Sequence, residues 1–218
     1  MKIVVFTARC GETDELRPPA VIDPRARYLC FSDTPCMIAP YEWIPLPIAD
    51  NPRLASRRIK VLADHPLLDE ADATLWHDAS YRLRRRVDWA TRRLERYDLV
   101  AMRHPKRCRI EDEAAMVARY GYLPIEEANA IVARYRAAGY TDEVMTSNGL
   151  LARRVSPRMR AFNQAWWAEV QRWQGRDQLS LGYAAYRAGV RIGYLKGKIR
   201  RNPFARWRED EELQAVPA

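Results

Sequence analysis

The first apolar stretch, KIVVFT at residues 2–7, is short and β-branched, as expected of a buried strand. RYLCFSD at 27–33 predicts a second strand. YEWIPLP at 41–47 predicts a third, and its prolines suit a sheet edge. Residues 51–62 place Leu54, Ile59 and Leu62 at an imperfect helical spacing, with Arg57, Arg58 and Lys60 crowded among them. ATLWHD at 73–78 predicts a fourth strand and DLVAMRHP at 98–105 a fifth. Between these, Leu83, Val87, Trp89, Ala90 and Leu94 predict a basic amphipathic helix over 82–96. The pattern then turns helical, over 110–120, 124–138 (with Pro124 in the first turn), 157–173 and 177–188. SNGL at 147–150 reads as a turn, GLLARRV at 149–155 as a strand, and an apolar RIGYL segment follows at 191–195.

Strands alternating with helices through the first half predict an α/β fold with a mostly parallel central sheet and a helical C-terminal half. One domain is expected over residues 1–207, with a flexible acidic tail at 208–218. In such sheets ligands lie beyond the carboxyl ends of the strands. That rule places Asp78, which ends the apolar run of LWHDAS, where a ligand would sit.

Composition narrows the field. The 218 residues are 48% apolar, and no apolar run approaches the ~20 residues of a membrane span. The opening MKIVVFTARCGE is too short in its apolar part for a signal peptide, so a soluble, cytoplasmic protein is expected. Cys10, Cys30, Cys36 and Cys108 lack the spacing of a zinc or redox motif and read as free core thiols. The net charge of +9, carried mostly by Arg, suits a polyanion: nucleic acid, an anionic membrane surface or a phosphorylated ligand. No glycine-rich dinucleotide motif, no phosphate-binding G-x-x-x-x-G-K-[ST] and no G-x-S-x-G elbow is present, which argues against the corresponding enzymes.

Several residues carry candidate chemistry. Asp78, with Ala79 and Ser80 behind it, reads either as a ligand to a divalent or diphosphate-bound metal or as a helix N-cap. His77 alternates with it across the strand and reads as a packed, hydrogen-bonded residue. Arg57, Arg58 and Lys60 offer phosphate contacts or a solvated basic face. In RHPKRCRIEDEA (103–114), His104 follows a strand, while Glu111 and Asp112 suit the first turn of a helix. In GRDQLSL (175–181), Asp177 is either a cap or, beside Arg176 and Gln178, part of a group able to bind sugar hydroxyls or accept a proton. LKGKIRR at 195–201 is a basic loop that closes over phosphates or is merely solvated, and the SNGL turn offers exposed amides to a substrate.

In order and spacing, VVFTARCGETDELRPP, YLCFSD, RLASRRIKVLADHPLL, LWHDAS, RHPKRCRIEDEA, GLLARR, FNQAWWAEV and RDQLSL resemble one family. It is the glycosyltransferase-like domain named after plant turgor-regulation and mucilage proteins, with many bacterial members. The resemblance spans residues 2–188 and departs from the family at Phe6, where Tyr is usual. It implies a single Rossmann-like nucleotide-sugar-binding domain of the GT-A type. It also implies transfer of a sugar from a nucleoside diphosphate to a polysaccharide or glycolipid acceptor, with Mn²⁺ or Mg²⁺ as cofactor. Thr7 and Ala8 would border the base, and Arg58 and Lys60 would lie near the nucleotide or diphosphate, with His104 and Arg107 in the HP.R segment. Asp78 matches the first carboxylate of the metal motif and Ser80 replaces the second. Arg176, Asp177 and Gln178 would flank the transferred sugar or the acceptor. Two other readings make different predictions. A metal-dependent lipid-amide hydrolase would use Asp78 with His77 or His104. A basic nucleic-acid-binding module would show strongly salt-dependent binding.

Overall fold

The computed structural model describes residues 1–11, 15–141, 144–173, 177–198 and 202–207. The chain opens with β1 (Ile3–Arg9), β2 (Ala26–Ser32) and β3 (Tyr41–Pro45), then α1 (Pro52–Leu62) and the single turn α2 (Pro66–Asp69). It continues with β4 (Ala73–His77), β5 (Tyr81–Leu83), α3 (Asp88–Thr91), a 3₁₀ turn, β6 (Leu99–Arg103), α4 (Ile110–Arg119) and α5 (Ile125–Ala137). It closes with β7 (Thr146–Arg154), α6 (Pro157–Trp173), α7 (Asp177–Ala188), β8 (Ile192–Lys198) and β9 (Ala205–Trp207).

Seven strands form one sheet in the order β3-β2-β1-β4-β7-β6-β8, and β5 pairs with β9 in a second, two-stranded sheet. Every pairing in the large sheet is parallel except those of β7, which runs against both β4 and β6. The fold is therefore α/β with a mostly parallel central sheet, as the alternating pattern predicts. The C-terminal half is helix-rich but also supplies β7 and β8 to the sheet. The tail expected at 208–218 lies outside the described residues.

β1 sits in the middle, so both of its faces are covered and its apolar run has no polar alternation. Val4, Phe6 and Ala8 face a core shared with α1, α6 and α7, built on Trp76, Phe162 and Trp166. Ile3 and Val5 face the opposite core with Tyr28, Cys30 and Tyr41, extended by the β5–β9 ribbon. A third cluster joins α4, α5 and α7 through Ile110, Ile131, Tyr135 and Tyr183. Buried Glu169 ties α6 to α5, accepting from Arg134, from the Tyr135 hydroxyl and from Trp173 Nε1. No helix among the described residues is long and apolar enough to cross a membrane.

Three local expectations are corrected. The helix expected over 82–96 is a strand followed by one α-turn and one 3₁₀ turn. Tyr81 and Leu83 point inward with the two-residue period of a strand because they pair with Trp207 and Ala205, a partner far along the chain. The turn expected at 147–150 lies inside β7, buried. Here the register against β6 jumps, with Ala101 opposite Leu151 and Met102 opposite Ser147, so residues 148–150 form a bulge. Pro124 caps α5 rather than entering it. Of the expected core thiols, Cys10, Cys30 and Cys36 are buried and Cys108 is exposed.

Candidate functional site

Strand order reverses direction at β1: β2 leaves on one side and β4 on the other. A crevice opens at the carboxyl ends of the strands beside such a point, because the connections diverge to opposite faces. A cleft of about 600 Å³ lies there, its wall drawn from Cys10 after β1, Asp78 after β4, Ser147, Asn148 and Gly149 of β7, α1 and the start of α7.

Each wall has a local cause. Gly11, at φ +71°, turns the chain sharply after Cys10, a conformation that side-chain-bearing residues avoid. Its N–H donates to Asp33 Oδ2 at 2.8 Å. α1 begins where the Asn51 side chain accepts from the Leu54 N–H and Pro52 occupies the first turn. Arg53, Ser56, Arg57 and Lys60, spaced three and four apart, then share the face that lines the cleft. Asp78 is not a helix cap: its carbonyl accepts from the Tyr81 N–H in a tight turn leading to β5, and its N–H donates to Gly149 O at 3.0 Å.

The centre of the cleft is an ion cluster. Lys60 Nζ lies 3.2 Å from Asp78 Oδ1 and 3.1 Å from Asp177 Oδ2. Arg57 Nε approaches Asp177 Oδ1 at 3.8 Å. Asn148 Nδ2 donates to Asp177 Oδ2 at 3.2 Å, and its own oxygen accepts from Thr146 Oγ1. Trp76 Nε1 donates to Asp78 Oδ1 at 2.8 Å, and Trp166 Nε1 donates to the Asp177 carbonyl. Burial would raise the Asp177 carboxyl, but Lys60 and Arg57 hold it below its ordinary value. Burial would likewise lower Lys60, and Asp177 and Asp78 raise it instead. Both groups are therefore charged at neutral pH. Lys60 and Asp177 side chains are 8% and 12% exposed, whereas Asp78 is 37% exposed. The bonds from Lys60 and Trp76 both reach Asp78 through Oδ1.

Of the site residues expected from sequence, Lys60, Asp78, Asp177 and Gln178 meet in this cleft. The Gln178 amide nitrogen has no partner among the described residues. Arg176 lies outside the described residues. Arg58 is on another face of α1 and pairs with Asp64 at 2.7 Å, because its position in the helical repeat differs from that of Lys60. Thr7 and Ala8 do not reach the cleft, since β1 runs on to Arg9; both are buried in the sheet, and Cys10 stands at the mouth. Ser80 also falls outside the lining, where Tyr81 takes its place. His104 accepts the Arg107 N–H on Nδ1, and the Arg107 guanidinium pairs with buried Glu113, so this segment serves the start of α4. His77 is packed and hydrogen-bonded as expected: its ring bonds to Tyr41 Oη and the Asp78 carbonyl on the far face of β4. Burial pushes it down to about 4. The Asp78–histidine metal pair required by a hydrolase is thus not formed.

Arg53, Ser56, Cys10 and Trp76 were not legible as site residues. Ser56 and Arg53 were predictable only through their helical spacing from Lys60. Burial first, then Asp33, pushes the Cys10 thiol up to about 11, which favours the protonated form at neutral pH.

The divalent metal implied by the resemblance was tested against these residues. Among the described residues no three His, Cys, Asp or Glu side chains converge. The two cleft carboxylates close on an ammonium instead. The donor set does not fit a resident metal.

Neither protein-family models nor curated proteins give a match to this sequence. The likeness to the glycosyltransferase-like family therefore stands on the quoted segments.

Proposed function

We propose that the protein is a glycosyltransferase of the Rossmann-like GT-A type, moving a sugar from a nucleoside diphosphate to a glycan or glycolipid acceptor. The observation that carries this reading is the meeting of three cations and two carboxylates in one open cleft, at the point where strand order reverses. A leaving diphosphate gains negative charge as the glycosidic bond breaks, and Arg53, Arg57 and Lys60 supply fixed positive charge beside it. The sugar left behind becomes oxocarbenium-like. Asp177, held ionised by Lys60 and Arg57, suits stabilisation of that positive charge better than proton abstraction, because a depressed pKa makes a weak base. Asp78, the more exposed of the two carboxylates, suits a substrate hydroxyl. The unpartnered Gln178 amide offers a donor to the sugar. The family resemblance, carried by the order and spacing of its segments together, points the same way.

The test is a thermal-shift panel of nucleotide sugars, each with Mn²⁺ and with chelator. At least one should raise the melting temperature. A flat response across the whole panel would remove the support for a transferase.

A further inference from the structure

Lys60 is the most unusual residue of the cleft, because an ammonium is costly to bury unless it is paired and hydrogen-bonded. Its four-carbon stem runs beside the core, with the charge 5.7 Å from the centre of the Trp76 ring. Its head lies between Asp78 and Asp177, within hydrogen-bond reach of both. A divalent cation bridging these carboxylates would occupy the same space and meet the ammonium's repulsion. An ammonium has three N–H donors, and the two carboxylates use two. Lys60 lines the cleft, so its head is open to a ligand that enters there. Arg57 and Arg53 stand one and two turns earlier on the same face of α1, so the three cations form a ladder along one wall.

We infer that this ladder, with Lys60 at its foot, is the built-in cation for the diphosphate, so that nucleoside diphosphates bind without a divalent metal. The inference rests on the transferase reading and adds to it the source of the positive charge. In it, Asp78 and Asp177 are carboxylates that position and hold the ammonium, and the phosphate oxygens accept from Lys60, Arg57 and Arg53.

The experiment is calorimetric titration of the wild-type protein with UDP, GDP, CDP and ADP, once with EDTA and once with Mn²⁺. The expected result is at least one nucleotide binding with the same affinity in both buffers. Lys60→Met should weaken that binding about tenfold or more in EDTA, the scale of one charge-assisted hydrogen bond. Since Lys60→Met takes the ammonium from two carboxylates at once, Arg57→Gln serves as a second variant, and it should also weaken binding in EDTA. Binding that vanishes in EDTA and returns with Mn²⁺ would overturn the inference and leave the transferase reading intact. Undiminished binding by both variants would also overturn it. No binding of any nucleotide in either buffer would overturn both.

Discussion

Arg153 Nη2 donates to the main-chain carbonyl oxygen of Lys60 at 2.6 Å. The same guanidinium donates through Nη1 to Val61 O and to Asn163 Oδ1, both at 3.1 Å. It is fully buried, and burial alone pushes it down to about 9, which still leaves it charged at neutral pH. The last turn of a helix has carbonyls without intrahelical donors, and a cation there complements the helix dipole. Arg153, on β7, thereby pins the end of α1 that carries Lys60.

Arg153→Leu should destabilise the protein by about 2–4 kcal/mol, because three buried acceptors lose their donor. Nucleotide binding should weaken as well, since the end of α1 is released. Urea unfolding and calorimetry read the two effects, and a loss below about 1 kcal/mol would show that water or a neighbour replaces the guanidinium.

Asp177→Asn keeps an oxygen for Lys60 and removes the negative charge. It should lower turnover by roughly a hundredfold or more, the scale of one preorganised electrostatic contact, with the fold retained. Steady-state rates beside a melting curve check this. An active variant would remove Asp177 from the chemistry.

Asp78→Asn should behave differently. The Asn oxygen still accepts from Trp76 Nε1, so stability should change by less than about 1 kcal/mol. The loss should appear in acceptor use: transfer falls while hydrolysis of the donor nucleotide sugar persists. Product analysis by chromatography separates the two, and an equal fall in both would show that Asp78 acts on the donor.

Far from the cleft, buried Asp23 is gripped by Arg25 through both oxygens and accepts the Val87 N–H. The Arg25 bond leads in holding its carboxyl down at about 2, against the opposing effect of burial. A lowered folded pKa contributes stability above the unfolded value of about 4, lost as pH falls towards 2. Because Arg25 is largely exposed, roughly 1–2 kcal/mol is expected. Wild type should exceed Asp23→Asn by that margin near pH 6. The gap should close between about pH 4 and pH 2 in urea unfolding, and a gap constant with pH would refute the account.

Gly193, on β8, has room for no side chain: a Cβ there would lie 2.5 Å from Tyr97 Cδ2. Gly193→Ala should cost about 1–3 kcal/mol through overpacking. A double-mutant cycle with Tyr97→Ala should show much of that cost relieved. Strict additivity would mean that the clash is not with Tyr97.

How much of this was readable beforehand depends on what each residue answers to. The buried strands KIVVFT and ATLWHD declared themselves, because their neighbours on both sides demand continuous apolar residues. Helix 157–173 did so through the periodic face of Met159, Phe162, Trp166 and Val170. Residues 82–96 misled because β5 is defined by a partner at 205–207, which local periodicity does not contain. Asn148-Gly149, a turn dipeptide by composition, serves a bulge instead. The stripe of α1 looked imperfect because one of its buried members is Lys60, apolar in its stem and charged at its head. Of the three cations that the sequence offers for phosphate, helical geometry keeps Arg57 with Lys60, adds Arg53, and turns Arg58, which the resemblance favours, towards Asp64.

The bulge at Asn148-Gly149 also bears on how the protein ages. An asparagine followed by glycine is the pair most prone to deamidate, since the next main-chain nitrogen must swing onto the side-chain carbonyl. Here Gly149 O accepts the Asp78 N–H, and both ends of the Asn148 side chain are engaged. Deamidation would set a new carboxylate against Asp177 and oppose the charge balance around Lys60. The packing that aims Asn148 at Asp177 therefore also protects the cleft from slow chemical damage during storage.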